Sequence, residues 1–192
     1  MTEEEFFFAW KRTCEKERIQ NLLLSRWDGV KADYSDVIFL GVDETKSVLD
    51  ELCKELQVQK LHFCPEYYHC DAAFYIEENR LRTNPFSKPK NTRGLNSTWL
   101  KQILVHFEHE NNIRDSWEEI IQLQNIPGEL NVLVTYPEEN TEEDRNKKLE
   151  VYYNEIVNKN LKFLIIFGQK KSNTEIEWFG YKLEKYKFVE VK

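Results

Sequence analysis

The chain predicts an α/β fold, a three-layer sandwich in which helices flank a central mixed β-sheet. Three observations carry that reading. From about residue 60 the apolar pattern runs through strands, a helix, a strand, a helix and final strands, the order that buries a sheet between helical layers. Directly joined strands pair antiparallel and helix-joined strands pair parallel, so the sheet is mixed. No repeat, low-complexity segment or composition shift divides the 192 residues. One domain is expected, with a helical part over 1–59, a core over 60–168 and a β-hairpin over 169–192.

The elements follow in order. Residues 2–26, TEEEFFFAWKRTCEKERIQNLLLSR, read as one amphipathic helix with Thr2 as cap and Phe6, Phe7, Trp10, Ile19, Leu22 and Leu23 as its buried stripe; Gly29 closes it. DVIFLGV (36–42) reads as a short buried strand, although periodicity alone does not separate strand from helix there. TKSVLDELCKELQ (45–57) is helical, with Thr45 as cap. KLHFC (60–64) and HCDAAFYIEE (69–78) are neighbouring strands across a CPEYY turn, and 79–98 is one long irregular stretch. LKQILVHFE is a strand, NIRDSWEEIIQLQN a helix ended by Pro127-Gly128, and LNVLVTY a strand. TEEDRNKKLEVYYNEIVNK (141–159) is a helix opened by Thr141 and Asp144. LKFLIIFG, EIEWFGYKL and YKFVEV are closing strands, the last two a hairpin.

Bulk properties narrow the function classes. The composition is 41% hydrophobic and 14% aromatic, which is that of a folded chain rather than a disordered one. Net charge is −7, which disfavours broad, non-specific binding to nucleic acid while leaving room for a local basic patch. Cys14, Cys53, Cys64 and Cys70 are not spread as a disulfide scaffold. MTEEEFFFAW is acidic where a signal peptide is basic, and no apolar run approaches a membrane span. The expected location is cytoplasmic, or a destination reached by a signal-independent route, with no membrane partner.

The chemistry concentrates in ILVHFEHENN (103–112). On a strand, His106, Glu108 and Glu110 face one way and Val105, Phe107 and His109 the other. Asp71 opens the preceding strong strand, and an antiparallel pairing carries it to Glu108 and Glu110. Three uncompensated carboxylates raise one another's pKa, a penalty that a divalent cation removes. Oxygen-only ligands point to Mg²⁺ or Mn²⁺, which neutralises charge developing at phosphorus. The plain alternative is a solvated strand end, with Asp71 capping a turn.

Arg80, Arg82, Lys88, Lys90 and Arg93 make 79–98 basic with no acidic residue, either a phosphate-contacting clamp or a solvated loop. His106 is a candidate to orient water or bind substrate, or else a structural histidine. His62, Cys64, His69 and Cys70 lack a recurrent zinc spacing, and adjacent His69 and Cys70 point to opposite faces. The five tryptophans suit core and interface positions, and no glycine-rich phosphate loop or GxSxG motif is present.

An Asp at a strand start, two acidic-motif positions at the end of the next strand, then a helix and a strand resemble the PD-(D/E)XK nuclease superfamily. The residues that carry the resemblance are CDAAFYIE, ILVHFEHEN, IRDSWEEIIQLQN and LNVLVTY, within about residues 60–168. Glu110 stands where the motif has Lys, a substitution found in a minority of the superfamily's restriction endonucleases. Cys70, not Pro, precedes Asp71. The resemblance implies a restriction-endonuclease-like fold and a Mg²⁺- or Mn²⁺-dependent deoxyribonuclease acting on DNA. It implies Asp71 and Glu108 as metal ligands, with Glu110 a further ligand or general base. Glu15 or Glu17 would stand for the helix acid that some members use. A second class is a fold of this kind without chemistry, working through a protein partner. The absent Lys, the acidic charge and the lack of an appended DNA-recognition domain favour that class.

Overall fold

Thr2 opens the first helix by a capping box: its Oγ1 accepts from the Glu5 N–H at 3.1 Å, and Glu5 Oε2 accepts from the Thr2 N–H at 2.8 Å. In the computed structural model, which describes residues 1–27, 31–41, 46–81, 99–139 and 141–192 (backbone only at 31–33 and 81), this helix is α1, Glu3–Cys14. It buries Phe6, Phe7, Ala9, Trp10, Thr13 and Cys14. The expected single helix over 2–26 is in fact two. Lys16 takes an extended conformation (φ −61°, ψ 126°), and α2 (Glu17–Arg26) starts afresh so that Ile19 and Leu23 reach the core.

The expected strand over 36–42 is also corrected, because α3 runs Lys31–Phe39. Tyr34, Val37 and Ile38 are its buried residues, at i, i+3 and i+4, a helical and not an alternating spacing. Gly41 follows with φ 79°, a left-handed backbone that glycine takes without strain. Helix α4 (Val48–Glu55) has Ser47 as its cap, in a second capping box with Asp50; Thr45 and Gly29 lie outside the described residues.

Among the described residues nine strands follow: β1 (Leu61–Tyr67), β2 (Cys70–Ile76), β3 (Arg80–Leu81), β4 (Trp99–Leu100), β5 (Val105–Glu110), β6 (Leu130–Thr135), β7 (Phe163–Ser172), β8 (Glu175–Glu184) and β9 (Lys187–Glu190). Seven form one sheet in the order β1-β2-β5-β6-β7-β8-β9, while β3 and β4 pair separately. The two parallel pairs, β5 with β6 and β6 with β7, are those bridged by α5 (Ser116–Asn125) and α6 (Glu142–Glu155). The other pairs of this sheet are antiparallel: β1 with β2, β7 with β8 and β8 with β9 are directly connected hairpins, and β2 with β5 is joined through the segment that holds β3 and β4. The first hairpin turns later than CPEYY suggests. Edge position lets β1 carry Pro65 opposite Ala72, and only Tyr68 and His69 lie between Tyr67 and its partner Cys70.

Side-chain alternation separates two cores. Val105, Phe107, Val132, Val134, Leu164 and Ile166 meet α1–α4 on one face. Leu133, Phe163, Ile165 and Phe167 meet α5 and α6 on the other. The arrangement is therefore a three-layer α/β fold around a mixed seven-stranded sheet. Among the described residues no helix is long and apolar enough to cross a membrane.

Candidate acidic site

Strand β5 divides its own chemistry between the layers. His109 points toward the N-terminal helices, stacked on Tyr34 at 5.5 Å and 13°, with Nε2 2.7 Å from Tyr136 Oη. Burial there pushes the His109 imidazole down to about 3, so it is neutral at ordinary pH. His106 and Glu108 project to the opposite face, toward α5, as strand parity requires.

The pairing Ala72↔Phe107 sets Asp71 beside Glu108, and reciprocal hydrogen bonds lock the two strands there. The Asp71 N–H donates to Glu108 Oε2 at 3.1 Å, and the His109 N–H donates to Asp71 Oδ2 at 2.8 Å. Glu108 Oε1 lies 3.0 Å from His106 Nε2, and His106 Nδ1 lies 2.7 Å from the Ile126 carbonyl. Gly128 permits that approach: a Cβ there would sit 2.7 Å from the His106 nitrogen of the backbone. Glu110 Oε1 accepts from the Asn112 N–H at 2.5 Å as the chain turns into α5.

Burial dominates the electrostatics. Glu108 is 2% exposed, and burial, followed by the Asp71 charge, pushes its carboxyl up to about 9. Burial also raises Asp71, opposed by the His109 N–H. His106 is lowered by burial. A fourth carboxyl joins from the first turn of α5: Glu119 is pushed up to about 8 by burial and then by the charges of Glu108, Asp71 and Glu110. Asp71, Glu108 and Glu119 thus share one end of β2 and β5, each raised first by burial, with the His106 ring beside Asp71 acting the other way.

The sequence reading places Asp71, Glu108 and Glu110 together; the structure hydrogen-bonds Asp71 to Glu108, while Glu110 Oε1 turns to the Asn112 N–H. It assigns the helix acid differently. Glu15 and Glu17 are exposed, Glu15 beside Lys11 at 3.8 Å, while Glu119 is the helix carboxylate that couples to the cluster. Its only sequence signal is position in the helix after the motif strand, where Glu118 and Glu119 look like ordinary first-turn acids. His106 is 1% exposed and engaged on both ring nitrogens, so any effect on substrate passes through Glu108, not through direct contact. Arg80 is not drawn into the cluster: it pairs with Leu100 and lies beside Tyr75, four residues along from Asp71. Arg82, Lys88, Lys90 and Arg93 lie outside the described residues.

Among the described residues no group of three or more His, Cys, Asp or Glu side chains forms a ready-made metal cage. Magnesium does not need one. It is commonly held by one or two carboxylates, keeping water and substrate oxygens for its other positions. Asp71 and Glu108 supply that donor set, and each bonded oxygen retains a second lone pair. The buried His62–Cys70 zinc alternative does not form: Cys70 Sγ donates to the Tyr67 carbonyl at 2.7 Å and His62 sits on the exposed edge beside Glu77. Comparison with protein-family models, characterised proteins and solved structures finds no match to this chain.

Proposed function

We propose that the chain is a metal-dependent phosphodiesterase acting on nucleic acid, a deoxyribonuclease of the PD-(D/E)XK type with a restriction-endonuclease-like fold. The single observation that carries this reading is a buried carboxyl, Glu108, held against Asp71 at a strand pair's end with its pKa pushed up to about 9. Burying several acids together is unfavourable by itself, and a divalent cation lowers the penalty. Asp71 and Glu108 would hold Mg²⁺ or Mn²⁺, whose contribution is charge neutralisation at the scissile phosphate. Glu110, at the exit of β5, and Glu119, facing it from α5, are the groups placed to accept a proton from the attacking water. His106 fixes the Glu108 carboxyl through its 3.0 Å contact.

The test is a Mg²⁺ and Mn²⁺ titration followed by thermal unfolding, on wild type and Glu108→Ala. The reading expects a rise in melting temperature that the variant lacks, with metal-dependent cleavage of DNA or RNA by the wild type alone. No metal-dependent shift in the wild type sinks it. A second reading, a catalytically inactive fold that binds a protein partner, is favoured by Glu110 in place of the motif Lys and by the protein hydrogen bonds that already engage both Glu108 oxygens.

A further inference from the structure

The hairpin that delivers Asp71 to the cluster turns in an unfavourable way. Between Tyr67 and Cys70 the two turn residues, Tyr68 and His69, have φ of 50° and 70°, and Glu66 just before them has φ of 50°. A tight two-residue hairpin with left-handed backbone at both positions suits Asn-Gly, whose side chains tolerate it. Bulky aromatic residues there are sterically disfavoured, so local stability does not account for them.

What the turn achieves is display. Tyr68 is 49% exposed and meets Trp99, itself 50% exposed, edge to face, at 5.8 Å between ring centroids and 60° between ring planes. Tyr67 ties the two segments together by accepting the Leu100 N–H on its hydroxyl at 3.1 Å. Beside the pair opens a cavity of about 590 Å³, lined by Tyr67, Tyr68, Lys101, Gln102 and Ile126 among others. Ile126 is also the residue whose carbonyl holds His106, so one wall of this cavity is linked through His106 to Glu108. Lys101 is exposed at its wall, and the acidic Glu129 is engaged by Gln102.

Two half-exposed aromatic side chains match an unstacked nucleobase, because every base offers a π-face to stack on. A base-paired duplex hides its base faces within the stack, so an aromatic side chain has none to meet there. Resting on the nucleic-acid reading above, we infer that the substrate is single-stranded or unpaired nucleic acid, seated with a base on the Tyr68–Trp99 platform.

The experiment measures binding of fluorescein-labelled oligothymidylate and of a duplex of equal length by anisotropy, with Ca²⁺ present, alongside cleavage of each with Mg²⁺. Wild type is expected to bind the single strand at least about tenfold more tightly than the duplex, and Trp99→Ala and Tyr68→Gly each to lose about tenfold of that affinity. Tyr68→Gly is the decisive variant. Glycine relieves the left-handed backbone, so its melting temperature should hold or rise while binding falls, which separates loss of the platform from loss of the fold. Equal binding of both strands forms, unchanged binding in both variants, or no binding of either oligonucleotide overturns the inference. Single-strand binding that depends on the platform, without cleavage, upholds it and overturns the nuclease reading. Duplex cleavage at full rate by both variants does the reverse.

Discussion

Glu108 donates to His106 and not the other way round. The Ile126 carbonyl can only accept, so the His106 Nδ1 facing it at 2.7 Å carries the ring proton. In the neutral imidazole that leaves Nε2 as an acceptor, and the Glu108 Oε1 at 3.0 Å must bring the hydrogen. A protonated Glu108, its other oxygen taking the Asp71 N–H, agrees with a carboxyl pushed up to about 9 and an imidazole pushed down, both by burial. The short contact is a neutral pair rather than an ion pair.

Glu108→Gln mimics that protonated acid, since its amide donates to His106 Nε2 and its carbonyl accepts from the Asp71 N–H. Wild-type Glu108 holds a proton in the folded state up to about pH 9 but loses it near pH 4.5 when unfolded. The folded state therefore binds more protons between those values, and its stability falls as pH rises through that range. Glu119, pushed up to about 8, adds a slope of the same sign. Thermal melts of metal-free protein across pH 6 to about pH 9 should show wild type losing stability and Glu108→Gln losing less. The variant should melt several degrees higher at the alkaline end, at about 2–4 °C per kcal/mol for a chain of this size. Identical slopes would show that Glu108 is ionised in the folded protein.

His109 works in the opposite direction. Its folded pKa, pushed down to about 3 by burial, lies below the value of about 6.5 of the free side chain. The unfolded state binds the extra proton, so stability is present above about pH 6.5 and drains away as pH falls toward 3. His109→Phe keeps the stacking on Tyr34 but strands the Tyr136 hydroxyl, a loss of about 1–3 kcal/mol at neutral pH. Its acid unfolding curve, followed by circular dichroism, should nonetheless be flatter than that of wild type between pH 6.5 and 4. A curve of equal steepness assigns acid unfolding to other groups.

Gly180 of β8 marks where α1 lies closest to the sheet. A Cβ there would sit 2.6 Å from ring atoms of the buried Phe7, with Phe8 and the sheet behind it. Gly180→Ala should destabilise by about 1–3 kcal/mol through overpacking. A second change, Phe7→Leu, should recover part of that loss in the double variant; strictly additive effects would mean that the two positions do not meet.

The central strands were legible because both periodicities agree there. Val105 and Phe107 against His106 and Glu108 alternate in the sequence, while Val132, Leu133 and Val134 form the apolar run of a strand buried on both faces; both sets divide between opposite layers in the structure. The meeting of Glu108 with Asp71 follows from strand parity plus one antiparallel pairing. What the sequence hid depends on long-range packing. Tyr34, Val37 and Ile38 fit a helix only once their partners in the N-terminal layer are known, and the break at Lys16 serves to bring Ile19 and Leu23 inward. Glu119 gives no local sign of its role, because an acid in a first helical turn is favourable wherever the helix points. The hairpin turn was misplaced because Tyr68 and His69 violate the residue preferences of the turn they make.

Asp71 and Glu108 are 37 residues apart in the chain, whereas β7 and β8 close over the tight turn between Ser172 and Glu175. Long closures are entropically dearer and slower than short ones, so the local hairpins can form while the acidic residues are still far apart. That order would put their meeting on the native side of the folding barrier. An ion gripped between them would act as a clasp, lengthening the lifetime of the folded state by slowing its opening while leaving the speed of refolding almost untouched.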